Sequence, residues 1–222
     1  MTDFSPDEGD LVAEGLACRR GERLIFRHLH CVLPAGGALM LTGANGSGKS
    51  SLLRLLATLL APAAGELSWG GVPVAADTAG YRARLHYVGH LDAIKPALGV
   101  RETLSFWAGM RGVAIPAIDA ALAAFGLEAI ADFPCRWLSA GQRRRLVLAR
   151  LIAAPAPLWL LDEPTAALDA DSEARLVATL AAHRASGGRV AIATHQPLPL
   201  ADAAVLALEE FTAVADDPLA GF

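Results

Sequence analysis

The segment "ALMLTGANGSGKSSLLRLL", residues 38–56, constrains the fold more tightly than any other part of this chain. A short apolar strand candidate leads into Gly43–Ser50, and a run with apolar residues at helical spacing follows. The intervening "GANGSGKS" fits G-x-x-x-x-G-K-[ST], with the strand before and the helix after that this pattern needs. Gly43, Gly46 and Gly48 let the backbone curl until successive N–H groups point at phosphate oxygens. The helix that starts near Lys49 adds its positive end. Lys49 can then reach β- and γ-phosphates, and the Ser50 hydroxyl can ligate Mg²⁺. The bland alternative, a flexible Gly/Ser turn, explains neither the flanking elements nor the Lys–Ser pair.

Strands and helices alternate along the rest of the chain. "GELSWGGVPV" reads as a β-hairpin, and residues 99–126 read as helical with glycine and proline punctuation. "QRRRLVLARLIA" is a helix stopped by Pro155, and "DADSEARLVATLAAHRASGG" a helix closed by glycines. "PLWLLDEP" and "RVAIATH" are solidly apolar, as buried parallel strands are, and "AAVLALEE" reads as a last such strand. "KSSLLRLLATLL" is expected to end at Pro62 and Gly65. This alternation predicts an α/β fold around a largely parallel sheet. The length of 222 residues allows one such domain with a small subdomain.

Composition narrows the classes. The chain is 54% hydrophobic, so a membrane-embedded chain competes with one that has a thick core and a sticky face. The longest stretch without Asp, Glu, Lys or Arg, His28–Gly48, contains Pro34 and several glycines and cannot be a spanning helix. A soluble protein that docks on something apolar is therefore expected. "MTDFSPDEGD" is acidic, lacks the features of a signal peptide, and is expected to be a disordered lead-in over residues 1–10. Cys18, Cys31 and Cys135 are widely spaced and read as reduced cytosolic thiols. The net charge of −4 and the absence of a basic field speak against a nucleic-acid partner.

Three further stretches carry chemistry. "LWLLDEP" places Asp162 and Glu163 directly after a buried strand, at the sheet edge where open α/β folds bind ligands. Asp162 is suited to hold Mg²⁺, and Glu163 to orient or deprotonate water as a general base. "LSAGQRRRLVLARL" begins with Ser139 and Gln142 in capping-box spacing. The plain reading is a capped helix with Arg143–Arg145 on a solvated face. The chemical one is a second anion site built from Ser139, Ala140, Gly141 and the helix start. In "LHYVGHLDAIK", His90 could be a metal ligand, a core filler or the stand-in for another polar residue.

"LSAGQ" between a phosphate loop and "LLDEP" resembles the signature of ATP-binding cassette (ABC) ATPases. "AALD" with Asp169 is similar to the D-loop, and "ATH" with His195 to the switch histidine at the γ-phosphate. Five motifs in order cover nearly the whole chain. "YVGH", "CRRGERLIF" and "THQPLP" further resemble the ATP-binding subunits of cytochrome c maturation transporters, also called haem exporters.

The resemblance implies an ABC cassette over residues 11–208, with a mostly parallel core, an N-terminal antiparallel β subdomain and a helical subdomain at about 91–150. Residues 209–222 would be a tail. It implies ATP and Mg²⁺ bound by Gly43, Ala44, Asn45, Gly46, Ser47, Gly48, Lys49, Ser50 and Ser51 with Asp162, and hydrolysis served by Glu163, His195 and Lys49. Leu138, Ser139, Ala140, Gly141 and Gln142 would face the ATP of a partner chain in a head-to-tail homodimer. An integral membrane subunit would dock near residues 94–112, including Phe106 and Trp107, at the cytoplasmic face of the inner membrane.

The chain departs from the family pattern at two places. His90 stands where a Q-loop glutamine is usual, and "CRRGER" offers Arg20 for adenine stacking, with Phe26 or no residue as alternatives. The ATPase subunit of another ABC transporter, with an unknown substrate, is the alternative within the family; a nucleoside or metabolite kinase, a non-transport ABC protein and a haem- or metal-binding protein are the rival readings outside it. "LSAGQ", "LLDEP" and "ATH" argue against a kinase. The spacing of His28, His30, Cys31, His86 and His90 matches no closed zinc or haem pattern, so direct haem binding is not expected.

Overall fold

The computed structural model describes residues 9–90, 92–112, 116–196 and 198–212. The lead-in assigned to 1–10 and the tail assigned to 209–222 fall largely outside them. A two-residue turn at Gly21–Glu22 joins β1 (Leu11–Arg20) to β2 (Arg23–Leu33), with Leu11 opposite Leu33 and Arg20 opposite Arg23. β4 (Ala64–Trp69) and β5 (Val72–Pro73) form the expected hairpin and extend this antiparallel sheet in the order β2-β1-β4-β5.

The second sheet is parallel, in the order β6-β7-β8-β3-β9. Its strands are β3 (Ala38–Thr42), β6 (Leu85–Val88), β7 (Leu158–Asp162), β8 (Arg189–Ala193) and β9 (Ala204–Ala207). β7 and β8 are buried throughout, as their unbroken apolar runs require. β9 differs from the expectation of a buried strand. It pairs only with β3 among the described strands, and Val205 is 67% exposed, because it forms an edge.

Successive side chains of a strand point to opposite faces. Met40, Trp159, Leu161, Val190 and Ile192 thus enter a core shared with α3 (Val100–Met110), α4 (Pro116–Ala124), α5 (Ala140–Ala153) and α6 (Ala170–Ala185). Leu39, Leu41, Leu158, Leu160, Ala191 and Ala193 enter a second core with α1 (Lys49–Leu56), α2 (Thr78–Ala83) and the antiparallel sheet. The parallel sheet separates the two cores, and its carboxyl ends carry the residues of interest.

α1 ends at Leu56, well short of Pro62. Thr58 adopts a left-handed backbone (φ 55°), Leu59 N–H donates to Arg54 O, and Thr58 N–H donates to Leu55 O, a Schellman closure without glycine. Arg82 supports that conformation, donating through Nη2 to Thr58 O (2.7 Å) and through Nε to Thr58 Oγ1 (2.8 Å). Tyr81 Oη–H takes up Leu56 O (2.6 Å).

Candidate nucleotide site

β3 delivers the chain at Thr42 into the glycine loop. Gly43 (φ 137°) and Gly48 (φ 108°) hold left-handed backbone that other residues rarely adopt. Space also excludes side chains there: a Cβ would lie 2.7 Å from Ser47 Oγ at position 43 and 2.7 Å from Ile25 Cγ2 at position 48. Gly48 caps α1 without a side-chain acceptor, which leaves the first-turn N–H groups available. Lys49 is buried and folds back over the loop, donating through Nζ to Gly43 O (2.6 Å) and Ala44 O (3.1 Å). Ser47 Oγ is buried with no hydrogen-bond partner, and Ser47 does not line the cavity that the loop borders.

β7 brings Asp162 to the same place. Ser50 Oγ–H donates to Asp162 Oδ1 at 2.9 Å, so two hard oxygen donors of the kind Mg²⁺ takes stand side by side. The chain turns sharply after Asp162. Glu163 has φ 48°, its N–H donates to Ala193 O on the neighbouring strand (2.8 Å), and its carbonyl accepts from Ala166 N–H (3.1 Å). β8 delivers His195, whose Nε2 lies 3.3 Å from Glu163 Oε1. A cavity of about 250 Å³ collects these groups; Arg20, Ile25, Asn45, Lys49, Ser50, His90, Asp162, Glu163 and His195 all line it.

The structure separates the two adenine candidates. Arg20 lines the cavity, whereas Phe26 is fully buried, packed beneath Gly48 in the second core, with no face open for stacking. His90 lies at the cavity wall and is exposed. The other histidines stand elsewhere. His86 is buried with Nε2 at Ala154 O, and burial pushes its pKa down to about 3. His30 accepts from Gly15 N–H through Nδ1 (3.2 Å).

None of Leu138–Gln142 lines the cavity formed by this chain's own phosphate loop. Ser139 and Gln142 form the expected capping box, with Gln142 Oε1 accepting from Ser139 N–H (2.8 Å) and Ser139 Oγ from Gln142 N–H (3.2 Å). Gly141 sits against Ala167, where a Cβ would be 3.0 Å from Ala167 O. Asp169 caps α6 by accepting from Ser172 N–H (2.8 Å), and its hydrogen bonding with Ser172 lowers its carboxyl pKa.

Two features escaped the sequence reading. Arg143–Arg145 do not form a solvated face: Arg143 donates to Leu138 O (3.0 Å), Arg145 to Phe125 O (3.1 Å), and Arg144 is only 3% exposed. Helix geometry held the signal, since three successive residues span more than half the circumference at 3.6 residues per turn, and one of them must turn inward. The second is Glu209, in the turn Leu208–Phe211, whose Oε1 accepts from Ala44 N–H at 2.7 Å. Nothing in the local sequence marks that contact with the phosphate loop.

Residues 26–166 match the model of the ABC transporter family. The chain is 60% identical over 205 residues to the cytochrome c biogenesis ATP-binding export protein CcmA of Rhodospirillum rubrum, spanning 92% of this chain and 87% of that one. It is 54% identical over 209 residues to the protein of the same name from Paramagnetospirillum magneticum, spanning 92% and 96%. Among solved structures, a putative ABC transporter ATP-binding protein from Pyrococcus furiosus superposes with a TM-score of 0.82 at 23% identity, covering 92% of this chain and 100% of that one. A bacterial Atm1-family ABC exporter with ATP bound gives 0.79 at 22% identity, covering 92% and 37%. The solved structures speak for the fold, and the sequence relatives for the family: this chain belongs to the ABC transporter family of ATP-binding proteins, in the CcmA group.

Proposed function

We propose that this chain is the ATP-hydrolysing subunit of a membrane export complex in c-type cytochrome biogenesis. The convergence of Lys49, the Ser50–Asp162 pair, Glu163 and His195 on one cavity carries the ATPase reading. The names of the relatives carry the biological setting.

The chain's residues divide the work. Lys49 and the loop N–H groups hold the phosphates. Mg²⁺, held by Ser50 and Asp162, would neutralise phosphate charge. Glu163 accepts the proton of the attacking water, and His195 steadies the γ-phosphate end beside it. Arg20 offers its guanidinium plane to the base.

Because Ser139 and Gly141 stand outside the chain's own cavity, a second copy placed head to tail supplies them. The membrane subunit docks on the face that includes Phe106 (50% exposed) and Met110 (66% exposed). Trp107, Met110, Arg82, Arg111 and Arg150 line a cleft of about 800 Å³ on this face. No helix among the described residues is long and apolar enough to cross a membrane. The docked position is peripheral, at the cytoplasmic side, where ATP is supplied.

Phosphate release measured with and without the co-purified membrane subunit tests this reading. Stimulation by that subunit, and loss of mature c-type cytochromes when Lys49 is replaced in the cell, are expected. Phosphotransfer to a metabolite in place of hydrolysis would overturn it.

A further inference from the structure

Arg144 lies in the first turns of α5, outside the cavity, yet every donor of its guanidinium is engaged. Nε donates to Pro164 O (3.2 Å), and Nη2 to Asp162 O (2.9 Å) and Glu163 O (2.6 Å). Nη1 donates to Gly89 O (3.0 Å) and faces Asp92 Oδ1 at 3.4 Å. A guanidinium has five N–H donors in a rigid plane, and here each meets a different acceptor. One edge of that plane grips three consecutive carbonyls around Glu163; the other grips the segment that carries His90.

The grip matters because of the backbone it holds. Glu163 is kept at φ 48°, a conformation disfavoured for a residue with a Cβ, and such backbone persists only where its surroundings fix it. Ala193 O fixes the peptide before Glu163, and Arg144 with Ala166 N–H fixes the peptide after it. A displacement of Gly89 or Asp92 therefore pulls on the same planar group that sets the direction of the Glu163 side chain.

We propose that Arg144 is a positioning residue for hydrolysis: it aims Glu163 through the carbonyls of residues 162–164, and through Gly89 and Asp92 it makes that aim depend on the His90 segment. The role rests on the reading of Glu163 as the base. It places the mechanical link between the His90 loop and the hydrolytic carboxylate in the signature helix, whatever His90 itself contacts.

The test is a double-mutant cycle on the full-length protein with Arg144→Lys and Glu163→Gln. An ammonium is a point donor and cannot hold both edges. For Arg144→Lys, kcat should fall about 10- to 100-fold, the loss a misplacement of roughly 1 Å can cause, while ATP affinity stays near that of the wild type. In the Glu163→Gln background the same change should cost nothing further, since residues acting as a unit are not additive. Full turnover in folded Arg144→Lys, or an equal loss in both backgrounds, overturns the role. So does a weakening of ATP binding that matches the fall in kcat.

Should Arg144→Lys fail to fold, Asp92→Asn, which loosens only the loop edge, decides. A fall in kcat that vanishes in the Glu163→Gln background supports the link, and an unchanged kcat overturns it. Brisk turnover by Glu163→Gln alone sinks the base assignment and this role with it. Slow turnover by Glu163→Gln beside full turnover by Arg144→Lys sinks the Arg144 role alone.

Discussion

His195 Nε2 and Glu163 Oε1 stand 3.3 Å apart at the ends of adjacent parallel strands, each side chain carried by the first residues beyond the sheet. The contact joins the proposed base to the group that would face the γ-phosphate. Replacing Glu163 by Gln should lower kcat by about 10²–10⁴-fold while ATP still binds, the range expected for losing a general base. Phosphate release and size-exclusion chromatography with ATP would check this; the variant should accumulate as ATP-bound dimers.

Ser50 and Asp162 share a hydrogen bond of 2.9 Å across 112 residues of chain. Ser50→Ala removes one oxygen from that pair and leaves the loop's N–H groups intact. The Mg²⁺ concentration for half-maximal hydrolysis should rise by roughly tenfold or more. Chelation of Mg²⁺ should abolish hydrolysis in the wild type. A magnesium titration of both proteins reads the difference.

Gly48→Ala places a methyl group against Ile25 and Phe26 in a left-handed backbone. The strain should cost roughly 1–3 kcal/mol of stability and displace the start of α1. Thermal unfolding should show the loss, and addition of ATP should recover less of it than in the wild type, because the phosphate cradle itself has moved.

His90 lines the cavity wall and is exposed. His90→Gln should retain ATP binding, whereas His90→Ala should reduce stimulation by the membrane subunit more than it reduces nucleotide affinity. ATPase assays with and without that subunit, alongside equilibrium ATP binding, separate the two effects. Full stimulation in His90→Ala would return the residue to a plain surface role.

Acid should destabilise the fold through two buried histidines. Burial pushes His86 down to about 3 and His183 down to about 4, and both are neutral in the folded chain at neutral pH. In the unfolded chain they titrate near 6.5, so the unfolded state takes up protons first as pH falls. Their contribution is full above about pH 6.5. It is lost on the way down to about 4 for His183 and about 3 for His86, at roughly 1 kcal/mol per pH unit for each. His86→Gln, which keeps a donor for Ala154 O, should flatten the decline seen in thermal unfolding between pH 6.5 and 4.

The sequence exposed those parts of the site whose cause is local. The curl at Gly43–Gly48 needs residues without side chains, and β7 and β8 announce themselves because both faces of a central parallel strand meet apolar core. Causes that lie far along the chain stayed hidden. α1 stops at a threonine in left-handed backbone because Arg82, on a different helix, holds it there. Phe26 and Arg20 both sit near the cavity in sequence, and only the pleat of β1 and β2 decides which is core and which is wall. Arg144 looked like one charge among three until helix rotation carried it under the carboxylate loop.

The alternation that divides the parallel sheet between two cores also has a bearing on how this site can vary. Leu158, Leu160 and Asp162 share one face of β7, the face of α1 and Ser50, while Trp159 and Leu161 share the other. A one-residue slip of β7 would turn Asp162 away from Ser50 and, in the same stroke, send every apolar side chain of the strand into the wrong core. Parity thus serves as a proofreader: a chain that mislays the carboxylate of Asp162 by one position is rejected as a fold before it can be tested as an enzyme.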